Sequence, residues 1–150
     1  SSRLYRDLVY DKQIAASVSA SNDSRLDPGL FTFQAQLQLP HAAAECESAI
    51  YGVVEAVKSQ GITERELQKA KNQLAARAVY QRERVSGLAT NIGVDWVVSH
   101  DPGRPFTSAT KFDAVTADDV LRVAKKYLVK TNLSMLTLVP AKPATAGGKK

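Results

Sequence analysis

Few side chains in this 150-residue chain could act as catalytic or metal-binding groups, and their spacing limits what they can do. There are two histidines, His41 and His100, and one cysteine, Cys46. A hydrolytic zinc site needs about three protein ligands converging on one ion, usually two of them on adjacent helical turns. His41 and His100 sit at opposite ends of the helical part of the sequence with no His-Glu spacing between them, so no metal site is expected. A single cysteine excludes an internal disulfide and any thiolate zinc cluster. Cys46 falls on an apolar helical stripe, where a buried structural thiol is expected. No Gly-x-Ser-x-Gly elbow and no glycine-rich phosphate loop occurs. The residues by themselves describe an α+β domain without a visible active site.

The balance of 20 basic against 15 acidic residues gives a net charge of +5, which raises the question of a polyanionic partner. The charges are dispersed. Stretches such as Glu64-Arg65-Glu66 mix signs as solvated helix faces do, and only Lys149-Lys150 forms a cationic pair on its own, so no nucleic-acid partner is expected. An apolar share of 44% suffices for one hydrophobic core. No apolar run approaches the roughly 18 residues of a membrane span, and none is expected. The opening Ser1-Ser2-Arg3-Leu4 reads like the interior of a longer protein.

The elements that position these residues follow from periodicity and capping. Leu4, Tyr5, Leu8 and Val9 recur at helical spacing, predicting a short first helix. Ala15 to Ser21 and Leu30 to Leu39 alternate apolar and polar residues, each a strand with one wet face, and Asp27-Pro28-Gly29 lies in the turn of an antiparallel hairpin. Cys46, Ile50, Val53, Val54 and Val57 mark an amphipathic helix ended by Gly61. Thr63 with Glu66 forms a capping box, with Ile62 and Leu67 at the staple positions, predicting a helix from Glu64. A second helix, or a kink at Ser86-Gly87, carries Val85, Leu88, Ile92 and Trp96. Asp101-Pro102-Gly103 and Pro105 end that block. Thr116 with Asp119 repeats the capping device and starts a helix through Tyr127. Leu133 to Val139 reads as a strand covered on both faces. Tyr5, Tyr51, Tyr80 and Trp96 fall at helical spacings and are expected in the core. The resulting fold class is α+β, two-layered, with helices packed on one face of a mainly antiparallel sheet. Residues 1–140 form the domain and 141–150 a disordered tail. Three strands make a thin sheet, as though further strands are supplied by another segment.

The order of phrases carries further information. Ser2-Arg3-Leu4-Tyr5-Arg6-Asp7-Leu8-Val9 is followed by Asp11-Lys12-Gln13-Ile14-Ala15 and a Ser-Val-Ser strand. Then come Pro28-Gly29-Leu30-Phe31-Thr32-Phe33, Gly61-Ile62-Thr63-Glu64-Arg65-Glu66-Leu67, Val115-Thr116-Ala117-Asp118-Asp119-Val120 and Ala124-Lys125-Lys126-Tyr127-Leu128. In that order and spacing the chain resembles the pitrilysin/insulinase family of zinc metallopeptidases, to which the mitochondrial processing peptidase belongs. The likeness extends to Pro140.

The resemblance implies an enzyme of two similar halves forming a clamshell, with zinc held in the first half by His-x-x-Glu-His and a distal Glu. That motif is absent here. Glu64, Glu66 and Glu83 occupy the region of the distal Glu, yet no histidines accompany them. The chain therefore corresponds to the second, non-catalytic half, lacking its first strand and helix. Zinc is expected in the partner half, on the same or a separate chain, and peptides are the implied substrates. The alternative is a structural or assembly module of the same fold. In active relatives the second half offers an Arg and a Tyr to the substrate and the transition-state oxygen. The matching positions are Val9 and Ala16, neither of which has a side-chain donor. Arg6, Tyr10 and Lys12 are the candidate substitutes, each at a different spacing. Bacterial relatives are often exported, which points toward the periplasm.

Overall fold

The computed structural model describes residues 2–23, 27–83 and 85–139. The tail expected at 141–150 lies outside the described residues. The chain opens with α1 (Arg3–Tyr5), which widens directly into a π-helical stretch over Arg6–Asp11, and continues with β1 (Ala15–Asn22) and β2 (Phe31–Leu37). Five helices follow: α2 (Ala43–Gln60), α3 (Glu64–Glu83), α4 (Val85–Ser99), α5 (Arg104–Asp113) and α6 (Ala117–Tyr127), with a 3-10 turn over Lys130–Asn132.

Local grammar sets most of the boundaries. Ser2 caps α1 by accepting from the Tyr5 N–H at 3.2 Å. The helix then widens: the Lys12 N–H donates to Asp7 O at 2.9 Å, an i→i+5 bond, and Ile14 N–H reaches Leu8 O at 3.0 Å. At α3 the Glu66 N–H donates to Thr63 Oγ1 at 3.2 Å while the Thr63 N–H donates to Glu66 Oε2 at 2.8 Å, a complete capping box. Thr116 and Asp119 repeat it at α6, with both reciprocal bonds at 3.1 Å.

β1 and β2 pair antiparallel, with Ser17 opposite Gln36, Ser19 opposite Gln34 and Ser21 opposite Thr32. The register shifts between Ala15 and Ser17, a bulge that leaves Ala16 out of the pairing. One face carries Val18, Phe33, Ala35 and Leu37 onto a core of Leu4, Leu8, Ile14, Ala15, Cys46 and Ala49. That core lies between the first helix, the hairpin and α2. α6 packs against α2, while α3, α4 and α5 pack against one another. Among the described residues no helix is long and apolar enough to cross a membrane.

Three expectations change. Leu133–Val139 forms no strand: it leaves the 3-10 turn extended, with φ −120° and ψ 133° at Leu133, but pairs with nothing among the described residues. Alternation can set a strand's conformation; only a neighbouring edge can supply its hydrogen bonds. α5 was not expected, because Pro102 and Pro105 read as stops. Pro105 instead stands in the first turn of a helix, where its missing N–H costs no bond. Finally, Tyr5, Tyr80 and Trp96 are exposed and Tyr51 is half-buried, because among the described residues nothing packs over those parts of their helices.

Candidate functional site

The sequence directs attention to the junction of the first helix with β1, and the structure gives each residue there a definite place. Val9 lies on the π-helical stretch and packs against the core cluster. Ala16 is exposed at the β1 bulge. A bulge re-aims one side chain without ending the strand, so position 16 is a natural place from which a side chain could reach outward. Alanine cannot use it. Of the candidate substitutes, Arg6 faces Asp11 with Nε 3.7 Å from Oδ2, and Lys12 Nζ lies 2.7 Å from Asp7 Oδ2. Both cations therefore already face a carboxylate on their own helix. Tyr10 is exposed.

The wet face of the hairpin is chemically uniform. Ser17, Ser19 and Ser21 on β1 and Thr32, Gln34 and Gln36 on β2 are all exposed, and cross-strand neighbours face each other in the register above. This array of hydroxyl and carboxamide groups can donate and accept hydrogen bonds but carries no charge. Sequence reasoning saw each strand's wet face; the register that aligns the two rows needed the structure.

The ligands expected of a zinc site do not converge. His41 Nδ1 meets Glu45 Oε2 at 2.9 Å, one turn along at the start of α2. His100 ends α4 in a left-handed conformation, φ 54°, its ring edge-on to Trp96 at 6.3 Å. Among the described residues no group of three or more His, Cys, Asp or Glu could hold a metal ion. Glu66, one of the three glutamates in the distal-ligand region, is engaged elsewhere. Arg3 grips it through two bonds of 2.6 Å, and together with the Thr63 cap this holds its carboxyl down at about 2. The donor set does not fit zinc. Cys46 is buried, and desolvation with the nearby Glu45 charge pushes its thiol up, away from the thiolate a nucleophile needs. An open groove of about 830 Å³ between α3 and α4 includes Arg77, Tyr80, Ser86 and Thr90 in its lining, with no acid–base pair.

Comparison with known proteins also returns an inactive-type peptidase domain. Residues 1–74 match the family model described as the peptidase M16 inactive domain. The chain belongs to that peptidase family, as its inactive-type domain. It is 32% identical over 127 residues to the rat mitochondrial cytochrome b-c1 complex subunit 2, covering 85% of this chain and 28% of that protein. Among solved structures it is similar to the inactive peptidase domain of a Bordetella parapertussis protein assigned as a zinc protease. The TM-score is 0.84 at 26% identity, over 98% of this chain and 78% of that one. A protease from Helicobacter pylori matches with a TM-score of 0.79 at 27% identity, over 88% of this chain and 32% of that one. The chain thus spans less than a third of the length of the curated b-c1 subunit it matches.

Proposed function

We propose that this M16 domain is the non-catalytic, substrate-enclosing half of a zinc-dependent endopeptidase, closing over peptides while a partner half supplies the metal. The observation that carries the reading is the charge-free wet face of the hairpin. Six hydroxyl and carboxamide side chains can hydrogen-bond an extended peptide backbone without favouring acidic or basic side chains, as a chamber handling varied peptides requires. With Val9 and Ala16 at the positions where active relatives are expected to carry Arg and Tyr, the domain contributes walls and not transition-state donors. The H. pylori match, a domain-sized part of a longer protease, supports a partner half on the same polypeptide.

The test is cleavage of a quenched fluorescent unstructured peptide by the full native protein, by residues 1–150 alone, and by the two halves mixed. The reading expects no turnover and no stoichiometric zinc in residues 1–150, with turnover in the native protein. Cleavage by this chain alone, or native activity unchanged when this domain is deleted, would count against it.

A second reading is an assembly module without a peptidase role, favoured by the likeness to the b-c1 subunit and by the same Val9 and Ala16. A native partner lacking His-x-x-Glu-His would select it.

A further inference from the structure

The groove of about 830 Å³ between α3 and α4 owes its walls to helical spacing. Gln73, Arg77 and Tyr80 stand at i, i+4 and i+7 on α3, so all three share one face. Ser86 with Thr90, and Gly87 with Asn91, repeat the i, i+4 spacing on α4. Ala76 on one wall and Gly87 on the other carry too little side chain to fill the space between the helices. The resulting volume lies within the range of small-ligand sites.

Most of the polar groups in these walls are uncommitted. The Thr90 hydroxyl donates to Ser86 O at 2.9 Å and is used up within α4. Arg77, Tyr80, Gln73, Asn91 and the Ser86 hydroxyl have no hydrogen bond or ion pair among the described residues. Other cations of the chain, Arg3, Lys12, Lys58 and Arg122 among them, each face a carboxylate. No described acidic residue lines the groove, so the Arg77 guanidinium is its one charge and has no counterpart there. A guanidinium presents a planar fork of donors that matches a carboxylate through two parallel bonds, and a single cation is balanced by a monoanion. Gln73 and Asn91 each offer a donor and an acceptor, the two groups that a peptide bond needs. The groove is open and not enclosed, which suits the end of a chain lying along it.

We infer that the α3–α4 groove binds the C-terminal end of a peptide, with the terminal carboxylate on Arg77 and the last peptide bonds on Gln73 and Asn91. Tyr80 and Ser86 supply hydroxyl donors for the lone pairs that the guanidinium leaves unused. The terminus is the one carboxylate that every peptide carries, so this site holds peptides irrespective of their sequence, as the uncharged face of the hairpin does. It presupposes the peptide-enclosing role proposed above and adds to it a charged anchor away from the hairpin.

Isothermal titration calorimetry on the full native protein tests this, with phenanthroline present to suppress metal-dependent cleavage. The probes are N-acetylated tetra-alanine as the free acid, the same peptide as its C-terminal amide, and an amidated peptide with one internal aspartate. The free acid should bind with a Kd of about 1 mM or tighter, and at least about tenfold more tightly than either amide, the factor of one charge-assisted hydrogen-bonded contact. Arg77→Gln should bring the free acid and the amides to the same affinity. Arg77 is exposed on α3 and glutamine is as good a helix former, so the fold stays intact. Arg77→Lys keeps the charge without the fork and should retain a weaker preference for the free acid. Equal binding of acid and amide by the native sequence, or a preference that survives Arg77→Gln, would overturn the site. So would an internal aspartate that binds as tightly as the free terminus, since the ligand would then be a side chain. Binding is read here without turnover, so the groove can fail while the native protein still cleaves peptides, and the reverse.

Discussion

Arg3 and Glu66, separated by 63 positions in the chain, meet in a two-pronged ion pair with Nε to Oε1 and Nη2 to Oε2 both at 2.6 Å. The same carboxylate closes the α3 capping box through Thr63, so one side chain both starts a helix and fastens it to the N-terminal segment. Glu66→Gln keeps a capping side chain but discards the ionic partner. For a pair about a third exposed, solvent screening limits the cost to roughly 0.5–1 kcal/mol. Glu66→Ala loses the cap as well and should cost about 1–2 kcal/mol. Urea midpoints of the two variants check the order; a Gln variant as unstable as the Ala variant would mean the ion pair dominates.

The same pair makes stability depend on pH. The Glu66 carboxyl is lowered from 4.5 to about 2, first by the Arg3 hydrogen bond and then by the Thr63 backbone. A depressed carboxyl favours the fold wherever it is ionised, so its contribution is complete above the unfolded value and fades as pH falls from about 4.5 toward 2. The midpoint of unfolding in urea should drop across that window in the native sequence, and drop less in Glu66→Gln. Parallel curves for the two proteins would remove Glu66 as the cause.

Leu8 is fully buried, at 0% exposure, at the centre of a small core. Leu8→Ala should cost about 2–5 kcal/mol, comparable to the whole stability of many domains. Loss of the cooperative thermal transition in residues 1–150 is the expected result. A shift in midpoint of only a degree or two would show that this core is not what holds the hairpin to α2.

Gly61 ends α2 with φ 72° and ψ −161°, a region essentially restricted to glycine. A Cβ there would meet no atom within 4 Å, so the cost of Gly61→Ala is purely backbone strain, about 1–3 kcal/mol. Thermal melts of Gly61→Ala and of Gly52→Ala, a mid-helix glycine with equally open space, separate the two effects. The first should destabilise and the second stabilise by up to about 1 kcal/mol.

These contrasts also explain which parts of the fold were legible in the residues. Thr63 with Glu66, Thr116 with Asp119, and Gly61 are local devices whose partners lie within four positions, so spacing alone revealed them. The Arg3–Glu66 pair, the bulge at Ala16 and the lack of a strand partner for Leu133–Val139 among the described residues depend on what the chain brings together from far away. Periodicity carries no record of that. Pro105 misled because proline reads as a helix stop unless the first turn is known to begin beside it. Val9 and Ala16 came from family resemblance; only the structure distinguishes the half-buried one from the exposed one.

That distinction is itself testable. Ala16 stands exposed at a bulge, so Ala16→Tyr should change stability by no more than about 0.5 kcal/mol. Val9 packs against the core, and Val9→Arg must either bury a guanidinium or pull the π-helical stretch off Leu8, at a cost of roughly 1–3 kcal/mol. The double variant restores the two donor types without supplying a metal, so residues 1–150 carrying both should still cleave no peptide. In the full native protein the fair comparison is Ala16→Tyr alone, since its fold is undisturbed. A rise in kcat with KM unchanged would mark position 16 as facing the reacting bond, whereas unchanged kinetics would place that face of the bulge away from the chemistry.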